Sequence, residues 1–149
     1  MAVVASEIIV RIALVQLFPG LAQSPFEITS QPTPDYNCIA WAAGDTDNFV
    51  WPGVFWPAEM PRKVTRKSFV RFFEGIGYRV CANPDPEDGQ EKIALYEHEG
   101  IPTHAARLLM DGRWSSKLGS EHDISHALDA LNGHEYGEPV VFMKRPITP

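Results

Sequence analysis

Cys38 and His104 are the two residues whose type and placement suit nucleophilic chemistry. Cys38 lies in the run Asp35-Tyr36-Asn37-Cys38-Ile39-Ala40-Trp41-Ala42-Ala43-Gly44, where a proline-rich loop gives way to a short apolar segment. Asp35 or Asn37 can cap a helix there and Gly44 can stop it. A thiol at a helix start gains from the partial positive charge of the unpaired N–H groups, so the position predicts a cysteine that leans toward thiolate. Its own backbone N–H could also donate to an oxyanion. His104 follows Gly100-Ile101-Pro102 and heads a strand-like run over residues 103–109, so its ring can project over a neighbouring helix end and act as base. The bland alternative for Cys38 is a buried structural cysteine, the usual fate of that residue. Cys81, in an apolar strand after Tyr78, is read as core.

A thiol–imidazole pair needs a third group to orient the base. The dipeptide Asp111-Gly112 is the strongest hairpin signal in the chain. A two-residue turn there pairs Met110 with Arg113 and puts Arg113, Ser115 and Lys117 on the sheet face of His104. A bulge or longer turn brings Ser116 onto that face instead. Asp123, a backbone carbonyl or an ordered water are further candidates. Among the other histidines, His98 sits between Glu97 and Glu99 and reads as exposed, and His134 lies beside the last helix. His122 and His126 share i, i+4 spacing, but no glutamate in zincin position and no third ligand accompany them, so a solvated helix face is expected, with no metal and no cofactor.

The elements that must carry these groups follow from periodicity and caps. Residues 8–18 read as an amphipathic first helix, with a strand as the alternative, and residues 24–34 as an extended proline-punctuated connector. Residues 45–61 form an aromatic, proline-rich loop in which Trp51, Phe55 and Trp56 are read either as a rigid flap over the core or as a substrate-binding wall beside the thiol. Thr65 caps a helix whose Phe69, Phe72, Phe73 and Ile76 share one face, ended by Gly75 and Gly77. Strands are expected at 78–81, 92–98, 103–110, 114–118 and 140–143. Ser120 with Asp123 resembles a capping box opening a last helix with Ile124, Ala127, Leu128 and Leu131 on one face. Helices first and an antiparallel sheet after make the class α+β, in a single domain spanning 1–149.

Composition narrows the function. A chain of 149 residues with 44% hydrophobic and 21% charged content is a soluble globular protein of one-domain size. A net charge of -6 argues against nucleic-acid binding, which needs a basic face. Two cysteines are too few for a disulfide framework, and a bridge would silence the nucleophile, so reduced thiols and a cytoplasmic setting are expected. No basic residue precedes the apolar run at 8–18, and Glu7 and Arg11 interrupt it, which argues against a signal peptide and against a membrane span.

Three runs carry a family resemblance: Tyr36-Asn37-Cys38-Ile39-Ala40-Trp41-Ala42, Pro102-Thr103-His104-Ala105-Ala106-Arg107, and Asp111-Gly112-Arg113-Trp114-Ser115-Ser116-Lys117-Leu118-Gly119. Together, over roughly residues 17–146, the chain resembles a group of uncharacterised bacterial proteins that are in turn similar to NlpC-type enzymes of the papain-like superfamily. There a cysteine opens a helix, a histidine opens a strand, and a polar third residue lies on the following strand. The resemblance implies a papain-like fold, Cys38 as nucleophile, His104 as base and Ser116 at or next to the third position, where the superfamily has His, Asn, Gln or Asp. It implies a cysteine amidase or peptidase, a thiol hydrolase or acyltransferase acting on an amide or isopeptide bond. The alternative is a papain-like scaffold without catalysis that binds partners through its aromatic loop.

Overall fold

A computed structural model describes residues 2–148. Three α-helices, α1 (Ala2–Leu17), α2 (Cys38–Ala43) and α3 (Arg66–Glu74), accompany seven strands: β1 (Glu27–Ile28), β2 (Arg79–Cys81), β3 (Gln90–His98), β4 (Ile101–Leu108), β5 (Trp114–Lys117), β6 (Asp123–His126) and β7 (Glu138–Pro146). The strands form one sheet in the order β1-β6-β5-β4-β3-β7-β2, antiparallel throughout. The class is therefore α+β. No helix among the described residues is long and apolar enough to cross a membrane.

Alternation along the central strands gives the sheet two apolar faces. Ile93, Leu95, Ala105, Val141 and Met143 meet Ile39, Ala40, Phe69 and Phe73 of α2 and α3 on one face. Ala94, Tyr96, Ala106, Trp114 and Ile124 meet Leu14 and Phe18, with Leu131 from the 3-10 turn Leu128–Leu131, on the other. Thr65 caps α3 by accepting from Ser68 N–H, and Phe69 and Phe73 are wholly buried. A bidentate pair from Arg66 to the buried Glu97, at 2.7 and 2.8 Å, ties α3 to β3.

Two local expectations give way to the tertiary structure, and it decides one alternative that the sequence leaves open. The segment after Ser120 is strand β6 followed by the short 3-10 turn, not a helix. Residues 123–126 pair with β5 in the register Trp114↔His126, Ser115↔Ser125, Ser116↔Ile124 and Lys117↔Asp123, so a ladder outweighs a weak local cap signal. His122 and His126 consequently share no helix face, and His126 is fully buried. The β4–β5 hairpin is also one residue longer than a two-residue turn: Leu109 N–H donates to Arg113 O, Gly112 N–H to Leu109 O, and Gly112 takes φ 86°. That is a type I turn closed by a left-handed glycine, which pairs Arg107 with Ser115 and shifts every later residue by one face. Finally, Cys81 is half-buried on the edge strand β2 beside an exposed Val80, and not a core thiol.

Candidate functional site

Asn37 builds the start of α2. Its Oδ1 accepts from Ala40 N–H at 3.2 Å and from Val50 N–H at 2.9 Å, and its Nδ2 donates to Val50 O at 2.7 Å. One buried side chain thus caps the helix and clamps the aromatic loop to it. The helix is pinned to the sheet by Trp41, whose Nε1 donates to Ser115 Oγ at 3.0 Å under the Arg107 guanidinium. On its other side Tyr36 donates to Asp123 Oδ2 at 2.8 Å. The buried Lys117 ammonium lies 5.1 Å from the Tyr36 ring centre and donates to the carbonyls of Thr33, Gly119 and Glu121.

Cys38 is the first residue of α2 and is only 6% exposed. Burial pushes its thiol up to about 11, against the opposing influence of the backbone N–H groups of Ala105, Ile39 and Cys38 itself and of the Lys117 charge. The expectation of a thiolate-leaning cysteine is therefore reversed. A helix of six residues has little dipole to offer, whereas withdrawing a thiolate from water costs more than those donors return. The Ala105 N–H beside the sulfur places Cys38 against the strand residue that follows His104.

His104 is buried on β4 opposite Tyr96, on the sheet face that carries Tyr96 and Ala106, while the Ala105 side chain faces α2. The two candidate groups therefore approach from opposite faces, along the seam where β4 and β5 diverge: the ladder between them holds only Arg107↔Ser115 and Leu108↔Trp114. A bulge between Tyr96 and Glu97 gives Thr103 no partner on β3 and re-aims the strand at His104. The His104 ring stacks flat on Tyr136, centroids 4.0 Å apart, and edge-on to Tyr96 at 5.1 Å. Tyr136 sits in a five-residue loop closed by reciprocal Gly133–Gly137 backbone bonds, and its carbonyl accepts from Thr103 Oγ1 at 2.6 Å.

The longer hairpin turn puts Ser116, not Ser115 or Lys117, on the His104 face. His104 Nε2 lies 2.8 Å from Ser116 Oγ, which lies 2.7 Å from His126 Nε2, and His126 Nδ1 lies 2.7 Å from the Ala127 carbonyl. His104, Ser116 and His126 are all buried. Burial holds His104 well below its ordinary range, with His126 adding to the effect, and pushes His126 down to about 4. Both rings are neutral near pH 7. His104 Nδ1 is buried with no hydrogen-bond partner among the described residues.

The aromatic loop packs on α3, as a rigid flap over the core would. Trp51 packs edge-on against Phe69 and Trp56 stacks on Phe72. Phe55 and Trp56 line an apolar cavity of about 320 Å³ with Ala43, Val50 and Ile76, at the C-terminal end of α2, and Cys38 is not among its lining residues. Sequence reasoning missed His126, Tyr136 and Asn37's second role. For His126 the only signal was the alternation Asp123-Ile124-Ser125-His126, four residues that match a helix face as well as a strand.

Residues 27–144 match the family model described as Domain of unknown function (DUF7689), so the chain belongs to that family. No curated protein and no solved structure matches it.

Proposed function

We propose that this member of the DUF7689 family is a cysteine amidase or peptidase with a papain-like, NlpC-type arrangement of Cys38 and His104. The observation that carries the reading is the buried, unpartnered Nδ1 of His104, on a ring held from its far side by Ser116, next to the strand residue whose N–H lies at the Cys38 sulfur. A neutral imidazole with a free nitrogen is a base awaiting a proton. In the reaction, Cys38 Sγ attacks the carbonyl carbon of an amide or isopeptide bond and its proton passes to His104 Nδ1. The C–N bond breaks, the leaving amine takes that proton, and a thioester remains on Cys38. Water, or a second amine in acyl transfer, then attacks the thioester, gives a proton to Nδ1, and the thiol is restored. The Cys38 and Ile39 N–H groups, which act on the sulfur at the start of the helix, are the donors this reading assigns to the oxyanion. Peptide or amide substrates in the cytoplasm fit this chemistry, and the acidic chain favours no nucleic-acid partner.

Because Cys38 and His104 are buried, substrate must open the seam between them. The same burial favours a second reading, a scaffold without turnover that binds partners. Incubation with p-nitrophenyl acetate followed by peptide mapping separates them. A single acetyl group on Cys38, lost in His104→Ala while acetylation of Cys81 is unchanged, supports the enzyme. Acetylation of Cys38 that is no faster than that of Cys81 and ignores His104→Ala defeats it.

A further inference from the structure

The proton positions along the chain of rings are fixed by its last acceptor. The Ala127 carbonyl can only accept, so His126 Nδ1 carries a hydrogen and donates to it across 2.7 Å. A neutral His126 then presents a lone pair at Nε2, which takes the Ser116 hydroxyl proton across 2.7 Å. With its proton committed, Ser116 Oγ can only accept from His104 Nε2 at 2.8 Å. His104 is thereby the Nε2–H tautomer, and its lone pair is at Nδ1, the nitrogen without a partner.

We propose that His126 is a positioning residue that sets the tautomer of His104 through Ser116, so that the unpartnered Nδ1 carries the lone pair and can accept a proton. A backbone carbonyl thus does, through two side chains, what a single carboxylate or amide does where it touches the base directly. It accounts for a serine at the third position: a hydroxyl has no orientation preference of its own, and acquires one only if a further acceptor claims its hydrogen. A serine facing His104 alone would be free to donate to Nε2 and would then stabilise the opposite tautomer, with Nδ1 protonated. His126 removes that freedom. The inference rests on the thiol reading for its purpose, but not for its geometry.

Two-bond 1H–15N correlation spectra of 15N-histidine-labelled protein report the tautomer of each neutral ring directly. In the wild type His104 is expected as Nε2–H and His126 as Nδ1–H. In His126→Leu the hydroxyl is released, and His104 should shift to a mixture or to Nδ1–H, with Cys38 acetylation falling at least tenfold. His126→Gln places an amide oxygen where Nε2 stood, an acceptor for the Ser116 hydroxyl, so it should restore the wild-type His104 tautomer and most of the reactivity. If His126→Leu fails to fold, Ser116→Ala provides the same test, since it removes the oxygen that accepts from Nε2–H. Wild-type His104 protonated at Nδ1, or a tautomer unchanged in these variants, overturns the proposal. An inert Cys38 in protein whose His104 tautomer follows His126 as described supports the positioning role and sinks the thiol chemistry instead.

Discussion

Lowering the pH from 7 to 5 should destabilise the protein chiefly through the buried histidines. His126 has an ordinary value of 6.5 and is pushed down to about 4 by burial. The unfolded chain therefore takes up a proton on this ring as the pH falls through 6.5, while the folded protein does not. For a depressed value, stability is complete above the unfolded pKa and is lost as the pH falls toward the folded one. With these two values the loss from His126 alone is about 2 kcal/mol at pH 5 and about 3 kcal/mol at pH 4. His104, also depressed by burial, adds in the same direction. Glu87, held down to about 2 by Lys92 and Lys144, gives up its contribution as the pH falls from its ordinary value of 4.5 toward 2, below the pH 7 to 5 window. The variant His126→Gln keeps an acceptor for Ser116 and cannot titrate, so its loss of stability between pH 7 and 5 should be smaller by about 2 kcal/mol. Urea unfolding followed by tryptophan fluorescence at pH 7, 6 and 5 measures both proteins. Equal losses in wild type and variant would refute the reasoning, since His126 would then titrate alike folded and unfolded.

Other consequences can be checked in the same preparations. Iodoacetamide at pH 7–8 should label the half-buried Cys81 before Cys38, with Cys38 labelling rising as the pH approaches 11, as peptide mapping will show; Cys38 labelling first near pH 6 would mean that pairing with His104 overrides burial. Asn37→Ala removes the α2 cap and strands both backbone groups of Val50, which should cost at least about 2 kcal/mol in urea unfolding. Gly137→Ala places a Cβ 1.8 Å from the Glu97 carbonyl at φ 75°, so its destabilisation should exceed the about 1–2 kcal/mol of a left-handed backbone alone, and hydrogen exchange should rise across residues 133–137. Lys117→Met leaves three inward carbonyls without their donor and should destabilise by about 3 kcal/mol or more, read from the same unfolding curves.

The sequence by itself determined what is locally encoded. Asn37 and Gly44 bound α2, Thr65 and the phenylalanine stripe mark α3, and Asp111-Gly112 marks a hairpin, because caps, periodicity and turn residues act within a few positions. It also singled out Cys38 and His104 and left Ser116 as one of several candidates. Which candidate meets the base was a matter of register: one extra residue in the β4–β5 turn exchanges Ser115 for Ser116, and the sequence carries no marker strong enough to fix that count. Only the tertiary structure could decide β6, since Asp123-Ile124-Ser125-His126 becomes a strand by pairing with β5, and with it His126 moves from an expected solvated face to the end of a buried hydrogen-bond chain. The same holds for the thiol. Its place at a helix start is local and readable, but its protonation depends on how much of the surrounding water the two layers exclude, and that desolvation is a property of the assembled core, not of any stretch of chain.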